Sequence, residues 1–163
     1  YGLSMDTDRA AVYAAELAAF DGTDLELVVG VDRLAAVVDQ LTAGEWWPGP
    51  SVVVRPARSD ARSSTTRCAG VGATIRLADS QATLATAAHE VAHALAGVGA
   101  GHDGRFRAAY VDVIAVVTNL DQTDRRGSLH IDQLRAAFAA GGLDLVPRAW
   151  PAPPATIAGP IAL

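Results

Sequence analysis

Residues 89–93 read His-Glu-Val-Ala-His, and a third histidine, His102, follows eight residues later inside Gly101-His102-Asp103-Gly104-Arg105-Phe106. On a helix, a spacing of four puts His89 and His93 on one face, one turn apart. Two imidazoles so placed can grip one zinc ion, and Glu90 stands beside any water that the ion holds. A third nitrogen from His102 leaves one tetrahedral position open, the pattern of a catalytic zinc site rather than a closed structural one. The expected chemistry is hydrolysis, of a peptide bond first of all, with Glu90 as the general base.

Two histidines and a glutamate can also coincide on a solvated helix. Economy argues against that origin: the chain has four histidines and four glutamates, and three of the first with one of the second fall within fourteen residues. The flanks argue against it too, since Ala85, Ala87, Ala88, Val91, Ala92, Ala94 and Leu95 are small or apolar.

Weaker candidates surround this core set. Tyr110 and Arg105 carry donors that could stabilise an oxyanion, although a tyrosine in a helix stripe more often serves as core and an arginine there more often meets water. Asp112 is one candidate to orient a ligand imidazole. His130 reads as a surface or capping residue and Cys68 as a free thiol. Trp46 and Trp47 either line a cleft or plug the edge of a small core.

The elements that must position these groups follow from periodicity. Residues 8–20 read as a helix capped by Asp6 or Thr7, with Ala10, Tyr13, Leu17 and Phe20 as its buried stripe. A turn at 21–24 leads to a short strand, Leu25–Val29. Asp32 caps a second helix, with Leu34, Val37, Val38 and Leu41 inside and Gly44 as its stop. After the rigid Trp46–Pro50 turn come a strand at Val52–Val54, a mobile polar loop at 57–70, and a strand at Ala73–Leu77. Asp79 or Ser80 caps the metal-binding helix, which anchors through Leu84, Ala88, Val91, Leu95 and Val98. Gly97, Gly99 and Gly101 end it. The next helix begins near His102 or Asp103 and buries Phe106, Tyr110, Val113 and Val117, and its positive end favours a neutral imidazole at His102. Ser128 caps a last helix carrying Ile131, Leu134 and Phe138.

With 163 residues, this reads as one domain over residues 5–146, large enough for a core without disulfides. Residues 1–4 precede the only methionine and read as a cloning remnant. Residues 147–163 form a Pro- and Ala-rich tail, expected to pack through Trp150, Ile157, Ile161 and Leu163 rather than dangle. It would either strap the helices or lie in the cleft. No apolar run reaches membrane-span length, no secretory signal is visible, and the single cysteine fits a reducing cytoplasm. The net charge of −5 opposes nucleic-acid binding as the main activity, despite the arginines at 55, 58, 62, 67 and 76. All thirteen basic residues are arginine, against 34 alanines and one asparagine, a bias expected of a GC-rich genome such as that of an actinobacterium or its phage.

The segment Gly101–Phe106 resembles the Gly-His-Gly-x-x-Phe element of the SprT-like zinc metalloproteases, over residues 73–118. The order Arg9…Val12-Tyr13-Ala14-Ala15-Glu16, Asp21-Gly22-Thr23, HEVAH and GHxxxF resembles still more a group of small actinobacterial metallohydrolases, over most of residues 8–140. This resemblance implies one Zn2+ held by His89, His93 and His102, Glu90 as general base, and Phe106 packed beneath the third ligand. It implies an α+β, zincin-like fold, with amphipathic helices on a small mixed or antiparallel sheet and the HExxH motif on a central helix. The expected partner is a peptide or protein substrate, pairing with an edge strand at Ala73–Leu77. Asp103-Gly104 departs from the Gly-Pro usual there, and the DNA-binding segment of the larger SprT-like proteases has no counterpart. The competing expectations are a non-catalytic zinc scaffold and a nucleic-acid-associated protease.

Overall fold

A computed structural model of the chain describes residues 6–119 and 126–154. Its elements are α1 (Arg9–Phe20), α2 (Val31–Ala43), β1 (Ser51–Pro56), β2 (Thr65–Ala69), β3 (Gly72–Leu77), α3 (Leu84–Ala96), α4 (Gly104–Asn119) and α5 (Arg126–Ala140). The strands form one mixed sheet in the order β1-β3-β2, with β3 parallel to β1 and antiparallel to β2. The fold is therefore α+β. Alternation places Val52 and Val54 of β1 and Ala73, Ile75 and Leu77 of β3 in the core.

α3 is buried on nearly all sides, because its alanines at 85, 87, 88, 92, 94 and 96 let neighbouring elements approach closely. It packs on α4 along one flank and on β2 and β3 along another. Thr83 caps it by accepting the Thr86 N–H at 3.1 Å. Gly97, at φ +91°, ends it in a conformation that residues with a Cβ seldom adopt. The chain then turns back, and the Asp103 carboxylate accepts the N–H groups of Arg105 and Phe106 at 2.9 and 3.2 Å to start α4.

Several expectations are corrected. Leu25–Val29 is not a strand: Asp24–Glu26 forms a 3-10 turn capped by Thr23, and Val28 makes one isolated bridge to Thr83. The polar stretch at 57–70 contains β2, whose residues are mostly exposed because it lies at the sheet's edge. The strand at 73–77 is central, so the edges are β1 and β2. α1 buries Val12, Ala15, Ala19 and Phe20, while Tyr13 and Leu17 are 45% and 61% exposed. The helix turns its alanine-rich face to the core and leaves larger side chains for a cleft. α2 starts after Gly30, with Asp32 inside its first turn, and Ser128 lies within α5 rather than capping it. Asp79–Gln81 is a separate 3-10 turn, and Val98 is largely exposed in another.

The start of the tail is pinned. The buried Asp112 carboxylate accepts Arg148 Nε and a terminal guanidinium nitrogen at 2.7 and 2.9 Å, and Trp150 Nε1 at 2.8 Å. Trp46 Nε1 donates to the Pro151 carbonyl at 2.9 Å. Ile157, Ile161 and Leu163 lie outside the described residues. Truncation after Val146 removes three donors from Asp112 and is expected to cost about 1–3 kcal/mol in urea unfolding, with no gain in any peptide hydrolysis. A gain in activity at unchanged stability would instead mark the tail as a plug.

Candidate metal centre

α3 presents His89 and His93 one turn apart, and the turn before α4 brings His102 to face them. His89 Nε2 lies 3.1 Å from His102 Nε2 and 3.2 Å from His93 Nε2, and the ligand atoms of all three fall within 4.8 Å of one another. Behind the rings stand carboxylates. Glu16 of α1 hydrogen-bonds His89 Nδ1, and Asp6 meets His102 Nδ1 at 2.5 Å while accepting the His102 backbone N–H at 3.3 Å. A carboxylate on Nδ1 keeps the proton there and leaves the Nε2 lone pair facing inward.

This donor set fits a metal ion. Metal–nitrogen bonds of 2.0–2.1 Å in a tetrahedron separate the ligand nitrogens by about 3.3 Å, close to the spacing found. Without a cation or a proton shared from His89, the inward lone pairs would repel. His93 Nδ1 is buried with no hydrogen-bond partner, so His93 lacks the carboxylate backing of the other two.

The support is aromatic and ionic. Phe106 is fully buried beneath the triad, its ring centroid 4.8, 4.4 and 4.9 Å from those of His89, His93 and His102. The Arg107 guanidinium donates to the His102 carbonyl at 2.9 Å, to Asp8 at 2.8 Å and to the Asp144 carbonyl at 2.6 and 2.9 Å. Gly101, at φ +56°, lets Asp6 come close: a Cβ there would lie 3.1 Å from the Asp6 carboxyl carbon.

Burial and charge divide the titrations. Burial, with the charges of His89 and His102, pushes His93 down to about 3. Burial also lowers His102, outweighing the Asp6 bond. His89 is desolvated as well, but the Glu16 bond and charge outweigh that and hold it above the usual histidine range. Burial raises the Glu90 carboxyl, against the pull of His89 and of the Thr66 hydroxyl. That hydroxyl, from β2, lies 2.9 Å from both Glu90 Oε1 and the Glu90 carbonyl.

A cleft of about 390 Å³ opens on one side of the triad, lined among others by Arg9, Tyr13, Leu17, Thr86, His89 and Glu90. Tyr110 is fully buried with its hydroxyl on the Ala85 carbonyl at 3.1 Å, and Arg105 is exposed in the first turn of α4, away from the cleft lining. Asp112 serves the tail, so Glu16 and Asp6 fill the orienting role considered for it. His130 is buried, edge-on to Phe20, rather than at the surface. Cys68 is free and exposed, and Trp46 and Trp47 pack against the core edge.

Asp6, Tyr13, Glu16 and Thr66 were not recognisable as site residues from their types alone. One signal was present: Arg9, Tyr13, Glu16 and Leu17 share one helical face, beside the Val12, Ala15, Ala19 stripe.

The protein is expected to bind about one transition-metal ion per chain, and loss of any one histidine to abolish tight binding, as elemental analysis and competitive chelator titration would show. Glu16→Gln and Asp6→Asn should weaken metal binding about 10–100-fold. In the metal-free protein, His93 stays neutral down to about 3 when folded but titrates near 6.5 when unfolded, so the unfolded state binds the extra proton between these values. Its stabilising contribution is present above pH 6.5 and lost toward pH 3. The metal-free melting temperature should fall across that window, and His93→Gln should flatten the fall.

Comparison with protein-family models, with curated proteins and with solved structures returned no match, so the site is read from its own geometry.

Proposed function

We propose that this protein is a zinc-dependent peptidase. One observation carries the reading: a buried glutamate with a raised carboxyl pKa lines an open cleft beside three imidazole nitrogens that converge on one point. His89, His93 and His102 would hold the ion, which when bound supplies a water of pKa about 7 and polarises the scissile carbonyl. Glu90 would accept a proton from the attacking water at its carboxylate and deliver it to the leaving amine. Burial brings its basicity nearer to neutral, which suits a group that must both accept and donate. The Thr66 hydroxyl fixes the carboxylate.

The same bond suggests how substrate lies. β2 pairs with β3 on one side and, among the described residues, with no strand on the other. Its outer edge can take an extended peptide by backbone hydrogen bonds. Since Thr66 ties this strand to Glu90, a peptide paired with β2 would pass the base. This moves the substrate edge expected at Ala73–Leu77 to Thr65–Ala69. The SprT-like resemblance points to the same activity class, while the net charge of −5 opposes a nucleic-acid-bound form. Among the described residues no helix is long and apolar enough to cross a membrane. We propose a cytoplasmic location, which a single free thiol suits.

Glu90→Gln should retain zinc and fold but lose hydrolysis of a fluorescence-quenched peptide mixture by at least about 10²-fold, because the amide cannot accept the proton. Wild-type turnover in that variant would remove Glu90 as the base. Zinc uptake with no hydrolysis by the wild type would favour the non-catalytic scaffold.

A further inference from the structure

The helix α1 carries Tyr13 and Glu16 one turn apart, and both engage His89. Glu16 does so through Nδ1. Tyr13 does so face to face, with ring centroids 5.6 Å apart and planes 11° from parallel, and its ring also lies 5.4 Å from that of His102. Three aromatic rings thus surround the triad, and they differ in one respect. Phe106 and Tyr110 are fully buried, whereas Tyr13 is 45% exposed and lines the cleft.

Several groups along that cleft are engaged: Ser64 donates to Gln81 Oε1, Thr83 donates to Thr86 Oγ1, and the Tyr110 hydroxyl donates to the Ala85 carbonyl. Tyr13 is half-exposed, and its hydroxyl makes no hydrogen bond among the described residues. Its ring is nevertheless held, between His89 on one side and the Arg9 guanidinium 5.6 Å from its centroid. A fixed ring with an uncommitted O–H beside the metal ligands is what stabilisation of a developing oxyanion needs: a donor set in place before the reaction, in a partly dry site.

We propose that Tyr13 is a catalytic residue, donating its phenolic O–H to the carbonyl oxygen of the scissile peptide as that oxygen gains negative charge. This rests on the zinc-peptidase reading and assigns the donor role for which Tyr110 and Arg105 are poorly placed. The phenol stays protonated throughout: as Glu90 moves the water's proton, the Tyr13 hydroxyl contributes a hydrogen bond that strengthens with the charge.

The test uses full-length protein loaded with Co2+, whose visible spectrum reports ligand binding, and acetohydroxamate as an anionic oxygen probe. Tyr13→Phe keeps the ring between His89 and Arg9 and loses only the hydroxyl. It should take up cobalt like the wild type, bind acetohydroxamate about tenfold more weakly, and hydrolyse the peptide mixture with kcat lowered about 10²-fold and KM changed less than about threefold. Equal acetohydroxamate affinity and equal kcat in the two proteins would overturn the role of Tyr13 while leaving the zinc reading standing. Tyr13→Leu separates packing from chemistry: impairment there with a wild-type-like Tyr13→Phe would assign the ring a packing role and overturn the proposal. Failure of the wild type to take up cobalt overturns both readings together.

Discussion

Three imidazole nitrogens with converging lone pairs, 3.1 and 3.2 Å apart, are the constraint around which the molecule is built. Unfilled, such a cluster is electrostatically unfavourable, and a flexible protein would relax it by rotating the rings away. Here rotation is blocked from three directions. Carboxylates fasten two of the rings at Nδ1, Phe106 closes the space beneath, and Tyr13 covers His89 from the cleft side. The repulsion is offset by the folding energy of the surrounding elements, so an ion entering the triad would find its ligands already in place. His93 is the exception. It has no carboxylate behind it, and burial together with the charges of His89 and His102 keeps it neutral.

The composition of α3 follows from this demand. A helix that must contact a sheet, a second helix and a cleft at once cannot carry large side chains on every face. Alanine allows close approach while keeping strong helix propensity. The cost is a smaller apolar area per residue. α4 compensates with Phe106, Tyr110, Val113 and Ile114, all fully buried. The hydrophobic bulk thus sits on α4 and the chemistry on α3.

How much of this was legible depended on whether the signal was local. The triad and Glu90 could be read because helical spacing brings residues together within one element, and the glycines that end α3 and let His102 return are in the sequence. α2, β1, β3 and the core of α4 were readable for the same reason. β2 was hidden because an edge strand need not alternate between apolar and polar residues. The stripe of α1 was misassigned because Tyr13 and Leu17 look like core, although Val12, Ala15 and Ala19 fill the tighter space against α5. Asp6, Glu16 and Thr66 act across separations of 96, 73 and 24 residues, which no local pattern encodes.

Arg107 shows how these distant parts are made into one unit. Its guanidinium reaches the N-terminal segment at Asp8, the third ligand's carbonyl and the loop after α5 at Asp144. The planar fork suits this junction, because fixed donors in one plane serve several acceptors, and the charge is matched by Asp8. Lysine offers a single ammonium and could not span the same set. The junction lies two residues after Asp6 on one side and four before Arg148 on the other. The clasp on His102, the strap on Asp112 and the third ligand therefore share one electrostatic anchor. Rigidity at His102 is then a property of the segments at Asp8 and Asp144 as well, and loosening either should reach the third imidazole through Arg107.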